Sequence, residues 1–373
     1  MKKKTLALLL TLQCILLLVF FIDPAKWDTD KKKQVIGTMR ESETLSDRSV
    51  TAFCEADKQN MWIGTADGLN VYTGQKFIQL TCQPDDSATI PDNHIKSLVR
   101  DNNGTVWVGT PNGVAQHLGW FRFKRYAVPY TVNGVYQLVE YGNRGMIANN
   151  GADAYIIKGG TVKFFYHFSQ DNVQSNYIFP DRKGGYWTVE PHVIKHFDDN
   201  GRLTEPVVHS KSNVAYSSQM GDTVWISQSR WLTAIDLKNN RIIYRTKERL
   251  PIIATSLYAK DSDHVYLNSS FHGLYLFKVS TGQLSKVSDT DLHLHHKDVT
   301  ISTLYGDKSQ NMWIGFNDGG FQILSPTTMI FEQFNNTALN NSTTGKNVSI
   351  IDVVGQNVIG STEDEIFCFN ATY

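Results

Sequence analysis

Three histidines crowd into the stretch His293-Leu294-His295-His296. On a strand, His293 and His295 would share a face, which is how two imidazoles come to ligate one metal ion. The cluster sits in a polar stretch between strand-like segments, where a solvated loop is the plainer reading. No metal and no other cofactor is therefore assigned. No Ser/His/Asp set, glycine-rich phosphate loop or paired carboxylate can be built from local spacing, so no catalytic residue is assigned either. A site assembled from distant segments stays compatible with that silence. Other residues suit binding better than bond breaking. Arg48, Asn93, His94, Asn176 and Asn213 precede strand-like segments, and Asp67, Asn112, Asn317 and Asp318 lie in turns of Asp-Gly or Asn-Gly type. Together they offer the donors and acceptors that a polar ligand needs, although ordinary turn chemistry explains each of them too. Trp120 and Trp231 are the candidate exposed aromatic faces.

The elements that must position these groups follow from a repeat. "MWIGTADGL" at 61–69 returns as "VWVGTPNG" at 106–113 and as "MWIGFNDGG" at 312–320. Aligning on the anchor of each such strand gives Trp62, Trp107, Ile147, Trp187, Trp225, Tyr266, Trp313 and Ile359, about 42 residues apart on average. A period of 40–45 residues with strand character and no 3.6-residue apolar pattern indicates propeller blades. The second unit shows the plan: "IKSLVRD", an Asn-Asn-Gly turn, "TVWVGT", a Pro-Asn-Gly turn, "VAQHLG" and "WFRFKRY". Asp57, Asp101, Asp181 and Asp307 stand before the first turn, where a carboxylate can accept turn amides. The glycine after the anchor (Gly64, Gly109, Gly315, Gly360) lets a neighbouring blade come close. The five tryptophan anchors are read as structural.

The fold class expected is all-β: a single propeller of four-stranded blades over 33–373. Eight anchors favour eight blades, with seven as the alternative. The last unit lacks an outer strand, and the orphan "KQVIGTM" at 33–39 is expected to complete it and so close the ring. The polar stretch 335–347 reads as an inter-blade loop.

The totals limit the partners. Lys+Arg and Asp+Glu both number 36, so the chain has no basic surplus with which to neutralise phosphates, and nucleic acid is excluded as a partner. Lys2, Lys3 and Lys4 precede an apolar run from Leu6 to Ile22, which marks 1–26 as a signal peptide or N-terminal membrane anchor. Membrane contact is expected through that segment alone, and the rest is expected outside the cytoplasm. Cys54, Cys82 and Cys368 form neither a disulfide framework nor a zinc pattern and read as small buried hydrophobes.

The units at 45–77, 90–114 and 299–324 resemble the two-component regulator propeller repeat of bacteria: a polar turn, Asp-x-x-Gly/Asn, Trp-Ile-Gly-Thr and Asp-Gly-Leu. Three units match well and the others are degenerate, yet together they cover nearly all of 41–369. The resemblance implies a periplasmic sensor propeller that recognises oligosaccharides, without kinase activity of its own. It also implies a signalling-protein partner or a second propeller. The kinase, second propeller, immunoglobulin-like domain and DNA-binding region usual in that family are missing from this sequence. A sugar site would use aromatic faces for stacking and Asn, Asp, Arg or His for hydroxyls, which draws attention to the nine polar residues above. A propeller lyase or glycosidase and a protein-interaction scaffold are the alternatives.

Overall fold

The computed structural model describes residues 39–324 and 349–370, apart from 43, 57–59, 75, 170–174, 210–214, 271, 288–299, 355–356 and 362–365. Each blade grows from one hairpin. In blade 2 the strand Ser97–Arg100 runs into Asp101, whose Oδ1 accepts the N–H groups of Asn103 at 3.0 Å and Thr105 at 2.9 Å. Its Oδ2 accepts from Trp107 Nε1 at 2.8 Å, on the returning strand Val106–Thr110. One carboxylate closes the turn and orients the anchor indole. Blade 7 repeats the set: Asp307 accepts the Asn311 N–H at 2.8 Å and Trp313 Nε1 at 2.9 Å. Blade 4 varies it. Asp181 takes the N–H groups of Lys183 and Gly185, but its other oxygen goes to His196 Nε2 at 2.8 Å and Asn240 Nδ2 at 2.7 Å. The buried Trp187 Nε1 is left without a hydrogen-bond partner. Asp57 lies outside the described residues.

Blades 2 to 6 are four-stranded antiparallel sheets with strands in sequence order. Within the described residues blade 7 holds Ile301–Gly306, Met312–Phe316 and Phe321–Leu324, and its expected outer strand at 330–334 lies outside them. At three seams neighbouring blades meet at the glycine after the anchor. A Cβ on Gly64 would lie 2.5 Å from Ile95 Cγ2 of blade 2, and one on Gly109 would lie 2.3 Å from the Val135 carbonyl of blade 3. One on Gly315 of blade 7 would lie 2.8 Å from Val50 Cγ1 of blade 1. The same approach therefore joins the seventh blade to the first. Ser302 Oγ also donates to the Val50 carbonyl at 2.6 Å, and Phe53 and Trp313 have ring centroids 5.8 Å apart in that seam.

The propeller has seven blades, the alternative rather than the favoured count. The flank of blade 1 that an eighth blade would need is already covered by Ser302, Trp313 and Gly315. Of the stretch 33–39 expected to close the ring, all but Met39 lies outside the described residues. Met39–Ser42 pairs with Phe77–Leu80, Met39 opposite Leu80, and becomes a fifth strand on the outer edge of blade 1. The eighth unit forms a separate three-stranded antiparallel sheet, Ser349–Val354, Asn357–Ser361 and Ile366–Asn370, in a second compact unit that begins at Leu324. Among the described residues no helix is long and apolar enough to cross a membrane.

Two substitutions and one control test this arrangement by thermal or urea unfolding. Gly109→Ala is expected to destabilise by about 2 kcal/mol, because its Cβ meets backbone that cannot swing aside. Asp307→Ala is expected to lower stability by about 2–3 kcal/mol, since it strands a turn amide and a largely buried indole N–H together. Asp67→Ala, on an exposed turn, should stay within about 0.5 kcal/mol of the wild type.

Candidate binding face

Antiparallel order places the inter-blade connections and the turns between second and third strands on one face of the ring, called the top. The remaining turns form the bottom. At the seam between blades 7 and 1, Arg48 Nη2 donates to the Asp318 carbonyl at 3.3 Å, and its Nε lies 3.6 Å from the Asp318 carboxylate. Ser49 Oγ donates to the Asn317 carbonyl, and Asn317 Nδ2 to Thr300 Oγ1 at 2.6 Å. Arg48 and Asp318 are 69% and 80% exposed, so their pairing adds little stability and both remain open to a ligand.

The next seam, between blades 1 and 2, is more ordered. Asp92 accepts the His94 N–H at 2.8 Å through one carboxylate oxygen and Asn112 Nδ2 at 2.7 Å through the other. Asn93 is used structurally: its side-chain carbonyl accepts the Cys82 N–H at 2.6 Å, and its main-chain carbonyl accepts that of Gly68 at 2.7 Å. Partial burial lowers the His94 pKa, the Lys96 charge lowers it further, and Asp92 and Asp47 oppose both effects. The imidazole is therefore neutral at pH 7, one nitrogen donating and the other accepting. Partial burial also draws the Lys96 ammonium below its usual value, against the pull of Asp92. Asp67 stands exposed on the adjoining turn. At the seam between blades 2 and 3, Tyr130 is 67% exposed on a loop fixed by Thr131 Oγ1 donating to the Asn150 carbonyl at 2.7 Å.

The structure thus brings Arg48, Asn317, Asp318, Asp67, His94 and Asn112 onto one side of the top face, across adjacent seams. Asn176 does not join them. It is fully buried, with Nδ2 donating to the Gly151 carbonyl at 2.8 Å and its own carbonyl accepting from Asn149 and Tyr136. Asn213 and the histidines at 293, 295 and 296 lie outside the described residues. Trp231 begins a strand beside the top turn of blade 5, half-buried, with the Arg245 guanidinium 5.6 Å from its ring. Trp120 is on the bottom, away from every other candidate. Sequence reasoning passed over Asp92, Lys96 and Tyr130. Asp92 was legible in "PDNH", whereas no local pattern distinguished the other two.

The chemistry open to this face is hydrogen bonding to a polar ligand, with Tyr130 offering an apolar surface beside it. One trio does have the order of an acid–imidazole–hydroxyl relay: Asp181, His196 and Thr204, with His196 Nδ1 2.5 Å from Thr204 Oγ1. It is inside blade 4, with the His196 and Asp181 side chains 8% and 1% exposed, and it completes the turn hydrogen bonding described above. Among the described residues no group of three His, Cys, Asp or Glu side chains is placed to hold a metal ion. Cys54 is a free buried thiol pushed up to about 12 by burial, in keeping with a packing role; Cys82 is free and half-buried.

The family model for the two component regulator propeller matches residues 44–67 and 89–112, the first hairpins of blades 1 and 2 with the loops that lead into them. No curated protein matches the chain. Among solved structures, virginiamycin B lyase from Staphylococcus aureus is similar over 76% of this chain and 97% of its own, with 14% identity and a TM-score of 0.59. The extracellular domain of the putative hybrid two component system BT3049 from B. thetaiotaomicron is similar over 89% of this chain and 48% of its own, with 15% identity and a TM-score of 0.59. The corresponding domain of the putative one component system BT4673 from the same organism is similar over 90% and 44%, with 14% identity and a TM-score of 0.56. The chain spans about half the length of those two extracellular domains. At these identities the likeness establishes the fold. The matched two component regulator propeller repeats lie in the first two blades of this seven-bladed propeller.

Proposed function

We propose that this propeller is an extracytoplasmic ligand-binding sensor module that takes an oligosaccharide on its top face and has no catalytic step of its own. The observation that carries the reading is convergence. Residues from blades 7, 1, 2 and 3, far apart in the chain, meet on one side of one face as exposed or half-exposed hydrogen-bonding groups. A neutral imidazole, a carboxamide, carboxylates, a guanidinium and a tyrosine ring form the mixture that sugar hydroxyls and sugar faces require. The repeat family and the two extracellular sensor-system domains support a signalling role. The basic and apolar N-terminal segment supports export, to the periplasm or an equivalent compartment, with a cleaved signal or a retained anchor. A ligand bound across seams would change how neighbouring blades are held, and a signalling protein or second propeller would read that change.

Calorimetric titration against a broad panel of oligosaccharides tests this. One ligand class should bind saturably, and His94→Ala or Asp92→Ala should weaken it by roughly tenfold, the value of one good polar contact at a desolvated site. Affinity should be level through neutral pH and fall only below about 6.5, because the folded His94 pKa lies under the ordinary histidine value and protonation arrives late. Binding that survives both substitutions would remove the site. Turnover of the bound sugar would replace the sensor reading with an enzymatic one, and silence across the panel with intact folding would reject the ligand class.

A further inference from the structure

The third hairpin of blade 2 breaks two local rules at once. Strands Gly113–Gly119 and Arg122–Tyr126 are joined by only two residues, Trp120 and Phe121. Both have positive φ, 50° and 56°, and Gly119 before them has φ 99°. A two-residue hairpin with both central residues left-handed asks for Asn-Gly, and bulky side chains there cost about 1–2 kcal/mol each. One residue earlier the strand register shifts between His117 and Gly119, so Leu118 is a bulge residue with no cross-strand partner. The two irregularities have one joint effect. Phe121 is turned inward, near Trp62 and His117 at 6.5 Å and 6.3 Å between ring centroids. Trp120 and Leu118 are turned outward, 94% and 61% exposed. Strain that seats Phe121 against the core yet leaves two apolar side chains in water points to a surface that takes them up.

We propose that this tip is a membrane-contact element, in which Trp120 and Leu118 enter the interfacial zone of an anionic bilayer while Arg122 and Lys124 meet its headgroups. Three observations favour a lipid surface over a protein pocket. Of the large exposed apolar side chains only two belong to this hairpin, which suffices for insertion at an interface but is far short of a protein contact patch. Tryptophan is the residue that interfaces hold best, and the exposed Arg122 and Lys124 alternate along the strand beside it, as attraction to anionic lipid requires. The chain also carries the apolar run 6–22, and sixteen residues separate Ile22 from Met39. That length reaches at most about 55 Å. Met39 lies at the top end of blade 1's outer strand, and a blade strand of six residues is only about 20 Å long. The segment could therefore lie in the same bilayer that the bottom of blade 2 touches. The top face would then be turned away from the membrane and left open.

The test uses the full-length chain with vesicles of phosphatidylethanolamine and phosphatidylglycerol containing brominated lipid. Trp120 emission is isolated as the difference between wild type and Trp120→Phe. That emission should be blue-shifted and quenched by the bromines, and the quenching should disappear in Arg122→Glu/Lys124→Glu and in phosphatidylcholine vesicles. An unquenched, water-like Trp120 would overturn the proposal, as would a Trp120 that becomes covered only when a second protein is added. Trp120→Asn separates folding from contact: it suits the turn and should raise Tm while abolishing the quenched component. A lower Tm would show that the turn is not strained by its tryptophan and would remove the argument's basis.

Discussion

The absence of a side chain at one position in blades 1, 2 and 7 sets how closely three of the seams, the closing one among them, can pack. Gly64, Gly109 and Gly315 each follow an anchor tryptophan by two residues, and each allows the next blade to approach within a distance that a methyl group would forbid. Around that contact the apolar seams fill: Trp62, Leu69 and Ile95 between blades 1 and 2, and Val50, Phe53 and Trp313 between blades 7 and 1. Burial along the seams supplies the driving force, and the glycines set the distance at which it acts. A ring has no terminal seam, so the contact that starts at Gly64 has to be met again at Gly315. Every inter-blade loop on the top face takes its position from that closure.

The repeat was legible because its causes are local. Asp101 and Asp307 sit six residues before their tryptophans so that one carboxylate reaches both the turn amides and the indole, and that constraint leaves the same letters in blades 2 and 7. The blade count was not legible, because it depends on the angle between blades. That angle is set by side-chain volume in the seams and by which flank of blade 1 is already occupied. Nor could periodicity show that Met39–Ser42 pairs with Phe77–Leu80, since an edge strand accepts any extended partner in register.

The candidate site divides in the same way. Antiparallel geometry alone places Arg48, His94, Asn112 and Asp318 on one face, and the spacing of the repeat predicted that much. It could not separate Asn112, whose side chain stands at the surface beside Asp92, from Asn176, which is consumed by Gly151, Asn149 and Tyr136 in the interior. Turn asparagines look alike in sequence, and the partner that each finds is a tertiary property. Trp120 was legible as a candidate exposed aromatic face, but the bulge and the pair of positive φ angles that turn it outward were not.

Closure between blades 7 and 1 is the claim on which the face, its seams and its ligand all rest. It is tested most directly by a double-mutant cycle on unfolding free energy between Val50 and Gly315, two residues that meet only if the ring is shut. Gly315→Ala should destabilise the wild type by driving a methyl into Val50 Cγ1, and the loss should shrink in a Val50→Ala background, giving a coupling of more than about 0.5 kcal/mol. Strictly additive effects would mean that the seventh blade does not meet the first.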